Sequence, residues 1–313
     1  MRIKKEDILE AQIRINDIIH KTPVLTNQSI DQISEAHLFF KCENFQKIGA
    51  FKMRGAANVV FSKNKKEKLN GFATHSSGNH AQAVALSSKL AKTTAHIVMP
   101  KGAPEIKKKA VKSYGANIYY CDNNEKAREE MCNNVIKKTH SHFIHPYNDY
   151  GVITGQATCF KEMCDDGYNL DYIVTPVGGG GLASGTALSA KYFSPTTKVV
   201  LAEPSNADDA YNSFIKKQLI PVETPNTIAD GLKTSLGKKT FNIIINHVEA
   251  ILTVSEEEIV SSMKLIWERM KIICEPSCSV ALAAVIKNKK MFKKKKVGII
   301  LTGGNVDIKN LPF

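Results

Sequence analysis

The chain has no apolar run long enough to cross a membrane. Its first residues, Met1 to Asp7, enter an amphipathic pattern directly and lack the apolar core of a signal peptide. The expectation is a cytoplasmic protein with no membrane partner. The seven cysteines contain no CxxC spacing: Cys159 and Cys164 are too far apart for it, and so are Cys274 and Cys278. An odd number without metal-like pairing reads as free thiols, mostly buried, in a reducing compartment. No nucleic-acid motif is present, although the net charge is +13. The basic runs Lys107–Lys109 and Lys293–Lys296 have no interleaved aromatics. They read as solvated lysine faces, and a nucleic-acid-binding module rests on net charge alone. No internal repeat, disordered linker or appended regulatory domain is visible.

What is present is a regular alternation. With 313 residues, 43% of them hydrophobic and 23% charged, the chain can build two lobes with a large shared core. Helical spacing runs from Glu6 to His20 and stops at Thr22-Pro23. Strands are predicted at 37–43, 72–75, 95–99, 117–121 and 142–145. Helices lie between them at 52–61, 79–91, 104–113 and 125–138. A second run places helices at 154–163, 182–192 and 208–217, with strands at 172–176 and 199–203. Residues 224–237 read as a long loop. Ser255 with Glu258 makes a capping box for a helix over 256–271. A last buried strand, 297–301, leads into Thr302-Gly303-Gly304-Asn305. Strands alternating with helices imply βαβ units and parallel sheet. Ligands bind beyond the carboxyl ends of such strands, and the chemistry-bearing motifs fall there.

Five stretches carry that chemistry. Lys52, in Gly49-Ala50-Phe51-Lys52-Met53-Arg54-Gly55, opens a helix. The partial positive charge of a helix N-terminus favours its neutral amine, the form that attacks carbonyls. The small and apolar flanks weigh against a solvated surface lysine. Ser76-Ser77-Gly78-Asn79-His80 joins a strand to a helix, which makes either an anion site or a simple cap. Gly178-Gly179-Gly180-Gly181-Leu182 allows the backbone to wrap a phosphate. Glu203 stands near the distance at which a dinucleotide fold places its acid, so spacing alone leaves that reading open. Glu203, Asp208 and Asp209 cluster at a strand end, either as oxygen ligands for a hard cation or as solvated caps of the next helix. Thr302 closes the final strand.

The stretch from Phe40 to Gly55 closely resembles the lysine segment of the serine racemase and threonine dehydratase family, fold-type-II enzymes that use pyridoxal 5'-phosphate (PLP). Many members have serine where this chain has Ala50. The other motifs agree in order, and the resemblance runs from the first helix to Asn305. It implies that Lys52 carries PLP covalently and acts as a base. It places Phe51, Asn79, Gly178 to Gly181, Leu182 and Thr302 around the cofactor. It assigns the substrate to Ser76, Ser77, Gly78, Asn79 and His80, with Arg128 closing from the small domain. Ser77 becomes the second acid/base. Threonine dehydratases usually have alanine there, and serine racemases have serine. A divalent cation (Mg2+, Ca2+ or Mn2+) is assigned to Glu203, the Ala207 carbonyl and Asp209. An activating nucleotide, ATP, at the subunit interface is assigned to Arg269, Lys271 and Asn305. The remaining histidines read as structural.

The expectation is therefore an α/β protein of the fold-type-II, tryptophan-synthase-β-like kind. It has two open parallel-sheet domains with the active site between them. Residues 1–65 and 150–313 form the large domain, and 66–149 form a small mobile domain inserted in it. The expected function is racemisation of L- and D-serine with accompanying dehydration to pyruvate and ammonia, by a cytoplasmic homodimer acting on a small amino acid. The alternative is a dehydratase of L-serine, L-threonine or 3-hydroxyaspartate without significant racemisation. A β-replacement synthase would share the fold but usually shows a different lysine segment and substrate loop.

Overall fold

The structure is a computed structural model that describes residues 3–103 and 105–313. Met1, Arg2 and Pro104, where the sequence reading starts the chain and opens a helix, lie outside the described residues. Among the described residues there are two sheets. The larger has six strands: β1 (Val24–Leu25), β2 (His37–Cys42), β7 (Tyr172–Pro176), β8 (Lys198–Pro204), β9 (Ala250–Val254) and β10 (Lys296–Leu301). Their order is β1-β2-β10-β7-β8-β9, and only the β1 edge is antiparallel. The smaller sheet has the order β5-β4-β3-β6, all parallel, from β3 (Phe72–His75), β4 (Ala95–Pro100), β5 (Asn117–Cys121) and β6 (His142–Phe143). The small sheet thus draws on one continuous stretch, while the large one is assembled from both of its flanks. Among the described residues no helix is long and apolar enough to cross a membrane.

The central strands are buried on both faces, as parallel sheets covered by helices require. All six residues of β4 are buried, and five of six in β10. Lys52–Ser62 is buried from Met53 to Val60 against helices Tyr150–Asp165 and Asn79–Leu90. Its close approach to Tyr150–Asp165 depends on a glycine pair. A Cβ on Gly55 would stand 2.5 Å from the Gln156 amide, and one on Gly155 would stand 2.6 Å from the Arg54 carbonyl.

Beside that crossing lies a buried ion network that the sequence reading did not anticipate. Arg54 donates to Glu43 at 2.8 Å through both Nε and Nη2, and to Glu162 at 2.6 Å through Nη1. Lys41 reaches Glu162 at 2.6 Å, and the Thr22 hydroxyl caps Glu43. Burial alone would push the Glu43 carboxyl up, but the Arg54 guanidinium outweighs it and holds the group below its usual range.

Several elements differ from the sequence expectation. The helix expected over 154–163 begins at Tyr150, because the Asp149 side chain accepts from the Val152 N–H and caps it. The helix expected over 256–271 is α-helical only from Glu256 to Leu265. It widens into a π turn, Ile266–Met270, and stops at Lys271 in the left-handed region. The helices Gln28–Ser34 and Lys238–His247 and the strands β1 and β9 were not expected. β9 is an edge strand with irregular burial, so it shows no clean alternation.

Candidate active site

The lysine segment is docked onto the end of β10. Ala50 bridges Gly303, the Phe51 N–H donates to the Thr302 carbonyl at 3.0 Å, and the Gly304 N–H donates to the Gly49 carbonyl at 2.9 Å. Ile48 and Gly49 both take positive φ, which turns the chain into the helix. Lys52 is the first residue of that helix. Its Nζ donates to the Pro146 carbonyl at 2.9 Å and stands 5.1 Å from the Phe51 ring centroid. Burial lowers its pKa to about 8, and Glu275 opposes part of that shift. The sequence reading looked to the helix N-terminus for this effect. In the structure, burial is the larger cause.

The Ser76–His80 loop follows β3 and opens helix Asn79–Leu90. The cap residue is Gly78, with no side-chain cap bond, so neither Ser76 nor Ser77 serves as the N-cap. The Ser76 hydroxyl accepts from the Gly78 N–H at 3.3 Å. The His80 ring turns into the core, with Nε2 3.1 Å from the Ile144 carbonyl. Burial drives its pKa well below the usual value, and its Nδ1 has no partner. The contribution of His80 to the loop is thereby limited to its main chain. Asn79 is held on both sides. Its Nδ2 donates to the Glu275 carboxylate at 3.0 and 3.2 Å, and its Oδ1 accepts from Asn305 Nδ2 at 2.8 Å.

The glycine run sits at the N-terminus of helix Gly181–Phe193, where the aligned peptide dipoles and open N–H groups suit a phosphate. Gly180 has φ +86°, which a side chain would strain. A Cβ on Gly179 would lie 2.3 Å from the Tyr147 ring. The Thr240 hydroxyl donates to the Gly179 carbonyl at 2.8 Å, steadying the loop. Thr302 is buried at the end of β10.

Glu203 is fully buried at the end of β8, and Asp209 is 2% exposed. They are not the solvated caps that the sequence allowed. Glu203 accepts from the Ala210 and Tyr211 N–H groups, and Asp209 Oδ2 accepts from the Leu236 N–H. Asp209 Oδ1 is buried without a partner. Burial and the neighbouring Asp209 push Glu203 well above the carboxylate range, and burial raises Asp209 to about 7. Two buried carboxylates at one strand end, one with an oxygen unpartnered among the described residues, suit a hard cation.

The residues suggested for a nucleotide lie on different segments of the chain. Asn305 lines a cleft of about 370 Å3 with Gln82, Lys107 and Asp230, whereas Arg269 and Lys271 do not. Asn305 is itself bonded to Asn79 and to the Ile48 carbonyl. Arg128 lies on helix Glu125–Thr139 with its Nε buried and unpartnered.

The sequence reading assigned no role to the 145–148 segment or to Glu275. His145 Nδ1 accepts from the Tyr147 and Asn148 N–H groups, and its ring meets the Tyr147 ring edge-on at 4.6 Å. Burial lowers the His145 pKa to about 4, so the ring stays neutral. The segment therefore touches both Lys52 and the glycine run. Its one sequence signal is position, at the crossing from the small sheet back to the large one.

The family model for pyridoxal-phosphate dependent enzymes matches residues 15–303. A serine racemase of Dictyostelium discoideum is 48% identical over 311 residues, covering 98% of this chain and 96% of that protein. A beta-hydroxyaspartate dehydratase of Paracoccus denitrificans (strain Pd 1222) is 46% identical over 308 residues, covering 98% of each. The solved structure of maize serine racemase superimposes with a TM-score of 0.95 at 41% identity, covering 97% of this chain and 94% of that one.

Proposed function

Because the chain belongs to the pyridoxal-phosphate dependent enzyme family, we propose that it is a serine racemase that also dehydrates serine to pyruvate and ammonia. The observation that carries this is Lys52: a half-buried amine with a depressed pKa, fixed between the Thr302 segment and the 145–148 segment. The residues fit PLP. The glycine cradle has no room for a Cβ at Gly179, and the lysine is poised as a nucleophile. When bound, PLP supplies an electron sink for charge at the substrate Cα.

The protein's own groups do the rest. The main chain of the Ser76–His80 loop binds the substrate carboxylate at a helix N-terminus. Asn79 orients the cofactor ring, with Phe51 beside Lys52 and Thr302 as a neutral hydroxyl partner for the ring nitrogen. Gly178, Gly179, Gly180, Gly181 and Leu182 hold the phosphate. Lys52 removes the Cα proton as general base. Ser77 returns a proton to the opposite face and gives the D-enantiomer. Loss of the β-hydroxyl instead leads to pyruvate and ammonia. Arg128 closes over the substrate from a small domain of residues 66–149, against a large domain of 1–65 and 150–313.

Glu203, Asp209 and the Ala207 carbonyl hold a divalent cation, supported by the orphaned Asp209 Oδ1. ATP acts as an activator through Arg269, Lys271 and Asn305, the last of which lines a cleft of about 370 Å3. The protein works as a cytoplasmic homodimer. Ser77→Ala tests the assignment: racemisation is lost while dehydration largely survives. Racemisation that persists in that variant overturns the role of Ser77. The second reading, a 3-hydroxyaspartate dehydratase, is favoured by the 46% identity to the Paracoccus enzyme and predicts turnover of hydroxyaspartate in preference to serine.

A further inference from the structure

Glu275 is 5% exposed and precedes helix Pro276–Lys287 as its N-cap. Its N–H donates to the Gly303 carbonyl at 3.0 Å, so it is anchored to the same segment as the lysine loop. A carboxylate can only accept, and it takes the Asn79 Nδ2 at 3.0 and 3.2 Å. Asn305 uses its Nδ2 for the Ile48 carbonyl at 2.7 Å and for Asn79 Oδ1 at 2.8 Å. The hydrogen bonds therefore run one way, from Asn305 through Asn79 to Glu275. Either neighbour alone would select the same orientation of the Asn79 amide.

The charges around Glu275 are few. Lys52 is the cation whose charged form it favours against burial. Asp230 and Lys107 form an ion pair between the 224–237 loop and the small-sheet helix Glu105–Ser113. They act on Glu275 in opposite senses. The Asn305 main-chain N–H favours the anion, and the buried Cys278 thiol on its own helix stays protonated.

Resting on the reading of Lys52 as the cofactor lysine, we propose that Glu275 is a positioning residue. It fixes the Asn79 amide and supplies the anion that stabilises positive charge on the Lys52 nitrogen. Burial, and then Asp230, raise the carboxyl to about 7.

The test uses the full-length, PLP-loaded protein and follows the visible absorbance of the bound cofactor against pH. Glu275→Gln keeps the shape and removes the charge. Its midpoint is expected to fall by about one pH unit, the lower end of the effect of a nearby opposite charge. Glu275→Asp, which keeps the charge, is expected to hold the midpoint close to that of the unaltered protein. A purely structural role would lower the melting temperature and leave the midpoint in place. A folded, cofactor-loaded Glu275→Gln with an unmoved midpoint overturns the proposal. If that variant does not fold, Asp230→Asn replaces it. That residue is exposed, and its loss leaves Lys107 to favour the Glu275 anion, so the midpoint is expected to rise. An unmoved midpoint there also overturns the proposal. Absence of a cofactor band in the unaltered protein would overturn the reading of Lys52 itself, and this proposal with it.

Discussion

Arg54 Nη1 and Glu162 Oε1, 108 positions apart in the chain, meet at 2.6 Å with the arginine side chain fully buried. The contact joins the lysine helix to the long helix that follows the small sheet. Removing one member of a buried ion network leaves the others uncompensated, at a cost of about 3–5 kcal/mol. Glu162→Gln leaves Arg54 and Lys41 with Glu43 alone, and a loss of that order is expected in urea denaturation. A loss below ~1 kcal/mol would show that the network is not holding the helix pair together.

Gly179 and Tyr147 make a second paired prediction. A Cβ at 179 meets the Tyr147 ring at 2.3 Å, so Gly179→Ala must move the ring or the loop. Overpacking of this kind costs about 1–3 kcal/mol, which is roughly 5- to 150-fold if it falls wholly on cofactor affinity. PLP titration of Gly179→Ala is expected to show that weakening, and Gly179→Ala/Tyr147→Ala to recover part of it. Full additivity of the two changes would mean that the contact does not matter.

The Glu203–Asp209 pair gives a pH dependence with a definite sign. Asp209 is raised to about 7 and Glu203 lies well above its ordinary value, both through burial. Between the unfolded and folded pKa values the native state holds the extra protons. The stability they contribute is present at acid pH and is lost as the pH rises through the folded pKa. A cation replaces those protons. At a hundredfold excess over its Kd magnesium is expected to stabilise the fold by about 2.7 kcal/mol at pH 8, and to raise the melting temperature less at pH 5. Asp209→Asn is expected to abolish the difference. Equal stabilisation at both pH values would contradict a cation on these carboxylates.

Lys52 sets the chemistry, so Lys52→Ala should lower turnover by about a thousandfold or more, within the range of a lost general base. The visible band of the bound cofactor should vanish with it. Retention of the band would place the attachment on another amine.

Much of this was legible from local signals. The Ser76–Asn79 loop, the glycine run and Thr302 each sit where a strand ends, while Lys52 opens a helix two short 3-10 turns beyond β2; alternation located those ends to within a few residues. Less legible were groups whose meaning depends on distant partners. Glu275 is an ordinary acid before a proline until Asn79, 196 positions away, is brought against it. Tyr147 acquires its role only when Gly179 leaves space for its ring. Glu43, Arg54 and Glu162 look like surface charges because nothing in their spacing reveals that they neutralise one another. Arg269 and Lys271 sit on a π turn and at the left-handed residue that ends it, a break in the helix that the spacing of their neighbours did not reveal.

The most direct measurement is to supply the PLP-loaded protein with L-serine and magnesium and to quantify D-serine and pyruvate together. The account predicts both products, with D-serine alone disappearing in Ser77→Ala. Pyruvate without D-serine in the unaltered protein would contradict the racemase reading and leave a dehydratase.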